Sequence, residues 1–154
     1  MRVVLQRVTG ASVTVDNKVT GAIKNGILVL VGIAPEDDEA VLRTVAEKVV
    51  GLRIFEDNEE KMNLSVKDVG GRILAVSQFT LYADCKKGKR PSFSAAAGGE
   101  FAKKMYERFV EICEELMEDK VETGIFAADM KVELLNDGPV TIIIDSADLA
   151  IKKI

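Results

Sequence analysis

A chain of 154 residues, 47% hydrophobic and 30% charged, has the size and composition of one globular domain whose core needs no disulfide or metal staple. Lys and Arg total 21 against 25 Asp and Glu, a net charge of −4, so no global positive field draws in nucleic acid. The chain has no histidine, which excludes Ser-His-Asp and Cys-His machinery and every histidine-bearing metal site.

Residues 2–9 are mostly apolar and 11–15 alternate, then Asp16-Asn17 turns the chain into 18–24. Asn25-Gly26 is a second turn signal, and the β-branched run 27–31 reads as a strand covered on both faces. The opening is therefore expected to be a meander of four strands. It carries no signal stretch, and the longest apolar run, 27–34, falls far short of the ~20 residues that span a bilayer. With only Cys85 and Cys113, neither a Cys₄ zinc centre nor a CxxC redox pair is available, and a reducing compartment fits best. The expectation is a cytoplasmic protein with no membrane partner.

Helical periodicity appears twice. In 38–50, Leu42, Val45, Ala46, Val49 and Val50 make an apolar stripe, with Asp37 or Asp38 to cap its start and Gly51 at its exit. In 100–118 the stripe runs through Phe101, Ala102, Met105, Tyr106, Phe109 and Cys113. Strand chemistry returns at 72–82, 121–125, 130–135 and 140–145. The expected fold is α/β: a layered β/β/α single domain over 1–154, with about eight strands in two packed sheets and two long helices on one side.

Three places could carry chemistry. Ser77, Gln78 and Thr80 lie at the end of an apolar strand, where they converge only if the strand ends or bulges; equally, the hydroxyls satisfy local backbone groups. Asn136-Asp137-Gly138-Pro139 is turn material whose Gly-Pro step can present bare carbonyls to an ammonium group, or is a plain turn. Lys86, Lys87, Lys89 and Arg90 concentrate positive charge in an acidic chain, as a phosphate contact or as a solvated loop. No carboxylate pair stands out. The chemistry left is that of hydroxyls, amides, carboxylates, lysines, backbone groups or the substrate's own atoms, with no metal and no cofactor expected.

Together, Ser77-Gln78-Phe79-Thr80-Leu81 and Asn136-Asp137-Gly138-Pro139-Val140-Thr141 resemble the paired signature of the D-aminoacyl-tRNA deacylases. The likeness runs from the opening Met1–Val8 through Leu52–Asp57, Lys61–Ser65, Arg90–Phe93 and Ala128–Met130, essentially the whole chain. It implies a homodimeric cytoplasmic esterase that removes D-amino acids, and mischarged glycine, from the 3′ end of tRNA. It implies a cis Gly138–Pro139 peptide whose loop enters the partner's pocket, holds the substrate's amino group and excludes L side chains. By the same resemblance Ser77, Gln78, Phe79 and Thr80 surround the scissile ester, and Asn136 belongs to the selecting loop. Phe126 and Met130 match positions near the terminal adenosine, and Arg7 one that steadies the incoming loop. The tRNA 2′-hydroxyl would then serve in place of a protein nucleophile. Gly98-Gly99, where many relatives carry prolines, and Cys85, where threonine is common, depart from the pattern. Two other readings stand beside it: a threonine-nucleophile esterase using Thr80, and a non-catalytic RNA-binding module.

Overall fold

Val3, Leu5 and Arg7 face inward, the pairing shifts register on either side of Val8, and the alternation resumes at Ala11 and Val13; the computed structural model, which describes residues 1–152, holds one 14-residue strand through this irregularity, β1 (Arg2–Val15). The expected four-strand opening is thus three strands. Asp16 and Asn17 both take left-handed angles (φ 49 and 64), the geometry of a tight hairpin turn, and lead into β2 (Lys18–Ile23). β3 (Gly26–Gly32) follows, buried along nearly its whole length.

Helix α1 (Glu39–Gly51) starts where the Asp38 carboxylate accepts the Val41 N–H at 3.0 Å, and it buries Leu42, Val45, Ala46, Val49 and Val50. Asp37 is not the cap. It is buried and accepts both the N-terminal ammonium of Met1 (2.7 Å) and the Ala34 N–H (2.8 Å). A short ribbon, β4 (Phe55–Glu56) with β5 (Met62–Leu64), precedes β6 (Arg72–Ser77). Helix α2 (Gly99–Met117) then leads to β7 (Glu122–Thr123) and the 15-residue β8 (Lys131–Asp145). The stretches 130–135 and 140–145 are therefore one strand running through the Asn136–Pro139 segment. Phe101, expected on the buried stripe of α2, is 40% exposed because the buried arc begins at Ala102.

Among the described residues the eight strands form two sheets, a six-stranded one and the β4–β5 ribbon. In the large sheet β1 pairs along one edge with β3 (residues 2–8) and β2 (residues 11–15), and along the other with β8. Beyond β3 the order continues to β6 and β7, both parallel to their neighbours. Parallel pairing needs crossovers, and α1 and α2 supply them. The sheet curls until β2 reaches β7: a Cβ placed on Gly21 would lie 2.4 Å from the Thr123 carbonyl oxygen. One face of the sheet packs on both helices through Ile27, Val29, Ile73, Ala75, Val45, Phe109 and Ile112. The other face closes on itself around Val8, Val13, Ile23, Leu28, Leu74 and Val76. Alternation explains the division, since Ile73 and Leu74 are neighbours in sequence and belong to different cores. Among the described residues no helix is long and apolar enough to cross a membrane.

Candidate active site

Strand β6 ends at Ser77. The Gln78 N–H still donates to the Val31 carbonyl at 2.7 Å, and the chain then tightens into a 3₁₀ turn over Phe79–Tyr82, closed by Leu81 N–H to the Gln78 carbonyl at 3.2 Å. This ending removes strict alternation, so the polar side chains converge: the Gln78 amide donates to the Thr80 hydroxyl. As the first residues of the turn, Phe79 and Thr80 have no acceptor within it for their N–H groups.

Ser77, Gln78 and Phe79 open onto a cavity of about 580 Å³. Its far wall is the loop that carries Phe126 and Met130, and its floor is α2 through Ala102 and Tyr106. Tyr106 is 5% exposed; its hydroxyl donates to the Ala75 carbonyl at 2.8 Å, and its ring lies 5.9 Å from that of Phe126. Burial, reinforced by Glu107, raises the Tyr106 hydroxyl far above its ordinary range, so it stays neutral as a donor. Ala127 turns the far wall with a left-handed φ of 66, and Gly98 and Gly99 line the mouth.

The second predicted cluster lies elsewhere on the chain and lines none of this cavity. Arg7, 7% exposed, donates from Nε to the Asp137 carbonyl (3.0 Å) and from Nη1 to the Ile54 carbonyl (2.7 Å). Arg7 therefore holds the loop of its own chain. Asn136 braces the same loop: its carbonyl oxygen accepts the Val140 N–H, and its amide donates to the Thr141 hydroxyl, both at 3.0 Å. The Gly138–Pro139 peptide is cis, and Gly138 has φ 130. A Cβ there would meet Val140 Cγ2 at 2.9 Å and Arg7 Nη2 at 3.0 Å, so only glycine fits. Asp137, Gly138 and Pro139 are exposed.

Lys86, Lys87, Lys89 and Arg90 are all exposed at the tip of a loop whose neck is a two-way bridge, Asp84 N–H to the Ser92 carbonyl (2.7 Å) and Ser92 N–H to the Asp84 carbonyl (2.9 Å). The neck delivers Phe93 to the cavity rim, where its ring meets Phe79 edge-on at 5.2 Å. Sequence reasoning singled out neither Phe93 nor Tyr106 for the site. Phe93 belongs to the Arg90–Phe93 motif, whereas Tyr106 reads only as part of a buried helical stripe.

A cavity with hydroxyl, amide and N–H donors at one end and aromatic rings at the other suits a ligand that carries a polar acyl group beside a flat ring. Residues 4–145 match the model of the D-Tyr-tRNA(Tyr) deacylase family. The D-aminoacyl-tRNA deacylase of Koribacter versatilis is 60% identical over 95% of this chain and 97% of its own. That of Thermotoga petrophila is 58% identical over 97% and 99%. Among solved structures, the c-Myc DNA unwinding element binding protein superposes with a TM-score of 0.88 at 42% identity, covering 94% of this chain and 98% of that one. A probable eukaryotic D-amino acid tRNA deacylase, at 18% identity and a TM-score of 0.79, shares the fold. The chain belongs to the D-aminoacyl-tRNA deacylase family, a family of ester hydrolases.

Proposed function

We propose that the protein hydrolyses the ester joining a D-amino acid, or glycine, to the 3′ end of tRNA, releasing the free amino acid and the tRNA. The observation that carries this reading is the end of β6. There Ser77, Gln78 and Phe79 face the cavity, Gln78 engages Thr80, and two N–H groups at the start of the turn remain available, with no histidine to activate any of the hydroxyls.

In this mechanism the ester carbonyl sits against the 3₁₀ turn and the terminal adenosine lies toward Phe126 and Met130. Water adds to the carbonyl carbon while the neighbouring ribose 2′-hydroxyl relays its proton. The N–H groups of Phe79 and Thr80 stabilise the oxyanion, and the C–O bond to the ribose 3′-oxygen breaks as that oxygen takes up the proton. The protein contributes position and fixed dipoles, which can supply most of a rate enhancement.

Chiral selection falls to Gly138 and Pro139. They are exposed on β8 and line no part of their own chain's cavity, which supports their insertion into a second copy within a homodimer. Carbonyls of the loop hold the substrate's ammonium, and the rigid backbone occupies the space an L side chain needs; a wall rejects all L residues where attractive contacts could not. Glycine passes because it has no side chain. Lys86, Lys87, Lys89 and Arg90 meet the backbone phosphates of the acceptor end. The tRNA substrate fits a cytoplasmic, one-domain enzyme.

Deacylation of D-tyrosyl-tRNA by Thr80→Ala, beside native protein acting on tRNA that lacks the terminal 2′-hydroxyl, tests the chemistry. Retained turnover by Thr80→Ala and loss on the 2′-deoxy substrate are expected. The opposite pair of results assigns the nucleophile to Thr80. Binding without turnover leaves an RNA-binding module.

A further inference from the structure

The cavity, its rim and the basic loop lie in sequence along one path. Phe126, tilted against Tyr106, stands at the inner wall. Phe79, 56% exposed, and Phe93, half-buried, stand at the rim with rings 5.2 Å apart and 74° between planes. The exposed cations follow on the far side of the Asp84–Ser92 neck. An edge-to-face pair keeps one ring braced while leaving the face of the other open. Side by side at the cavity rim, the two rings form one apolar patch with polar surroundings, the kind of surface that marks a ligand groove. Aromatic faces beside fixed cations are what unpaired nucleotides require, because every base has a π-face and every link a phosphate.

We propose that Phe93, braced by Phe79, is a stacking platform for the unpaired base that precedes the terminal adenosine. This deepens the deacylase reading, on which it rests, by adding a second nucleobase subsite outside the cavity. The single-stranded end would then be gripped at three successive points: terminal base inside, next base on Phe93, and the phosphates leading away from it on Lys86, Lys87, Lys89 and Arg90. Such a platform is tolerant of base identity, since stacking reads no hydrogen-bond pattern. It also lets the protein prefer a polynucleotide over a lone aminoacyl nucleoside without touching the amino acid.

The test uses the full chain and a short single-stranded RNA that ends in adenosine and carries 2-aminopurine, whose fluorescence falls on stacking, as its penultimate base. Native protein and Phe93→Tyr are expected to quench it; Phe93→Leu, which keeps bulk and loses the π-face, is expected not to. Phe79→Leu, which removes the brace, gives intermediate quenching and serves should Phe93→Leu fail to fold. In turnover, Phe93→Leu is expected to raise KM about tenfold more for D-aminoacyl-tRNA than for a 3′-D-aminoacyl-adenosine, with kcat on the tRNA little changed. Equal quenching by native and Phe93→Leu, or equal losses on the two esters, overturns the platform. Quenching needs no chemistry. Phe93-dependent quenching without ester hydrolysis keeps the platform and removes the deacylase reading; hydrolysis without such quenching does the reverse.

Discussion

Arg7 donates from Nε to the carbonyl of Asp137 at 3.0 Å, so a buried guanidinium on β1 carries the loop that β8 presents to solvent. Its other bond, to the Ile54 carbonyl, is also buried. Arg7→Ala strips both acceptors of a charged donor and is expected to cost about 2–3 kcal/mol in urea unfolding. It should also lower kcat/KM for D-aminoacyl-tRNA by more than tenfold as the loop loses its brace. Arg7→Lys, a single point donor in place of a fork, should recover only part of either quantity. Unchanged turnover in folded Arg7→Ala would detach the loop from the reaction.

The proposed homodimer makes a second prediction. Among the described residues β8 pairs only with β1, which leaves a 15-residue edge strand exposing Leu135 (67%) and Ile143 (68%) beside Gly138 and Pro139. Unpaired apolar edges invite a second chain. Sedimentation of Ile143→Asp and Leu135→Lys is expected to give monomers that have lost turnover. A fully active monomer would contradict insertion of the loop into a partner.

Thiol reactivity separates the two cysteines. Burial pushes the Cys113 thiol up to about 12, with Glu114 adding to the shift, so it stays protonated in the folded chain. Cys85 is exposed. An aromatic disulfide reagent at pH 8 is expected to titrate one thiol in native protein and a second only on unfolding. Two fast equivalents in the native state would mean that α2 opens readily.

How far these features could be read from sequence follows from how local each is. β3 was legible because a run of apolar residues at every position has few uses other than a doubly covered strand. α1 was legible to its cap, apart from the choice between Asp37 and Asp38, which depends on where the Met1 ammonium lands. The continuity of β8 was not legible, because Asn136–Pro139 has turn composition. Its continuity comes from pairing with β1 on both flanks, Asn136 with Val8 and Thr141 with Gln6, and from the Asn136 side chain taking the Val140 N–H across the unpaired residues 137–140. The stop at Ser77 had to be inferred from the need for polar groups to converge, and the 3₁₀ turn supplies it. Tyr106 read as core, and it is buried; what periodicity could not give is that the cavity lies on the other side of its ring.

Acid stability tests the pairing of β1 with β8 at its end. Burial would raise the Asp145 carboxyl, but the Ala147 N–H and the Arg2 guanidinium, 2.9 Å from Nε and 2.8 Å from Nη2, outweigh it and hold it below the usual range. A carboxylate lowered by folding contributes stability that is fully present above the unfolded value of ~4 and is lost as pH falls through the lower folded one. Asp145→Asn is therefore expected to be less stable than native protein at pH 7 and to converge with it in urea titrations as the pH falls through the lowered folded value. A gap between the two that persists in acid would mean that the charge contributes nothing.

The central claim is that the chain cleaves D-aminoacyl esters of tRNA and excludes their L counterparts by shape. The most direct measurement is the initial rate of ester loss from D-tyrosyl-tRNA and L-tyrosyl-tRNA at equal concentrations of the native protein, with glycyl-tRNA as the substrate that has no side chain. The account predicts rapid loss from the D ester, measurable loss from the glycyl ester, and loss from the L ester at the uncatalysed rate. Comparable catalysed rates on the D and L esters would contradict it.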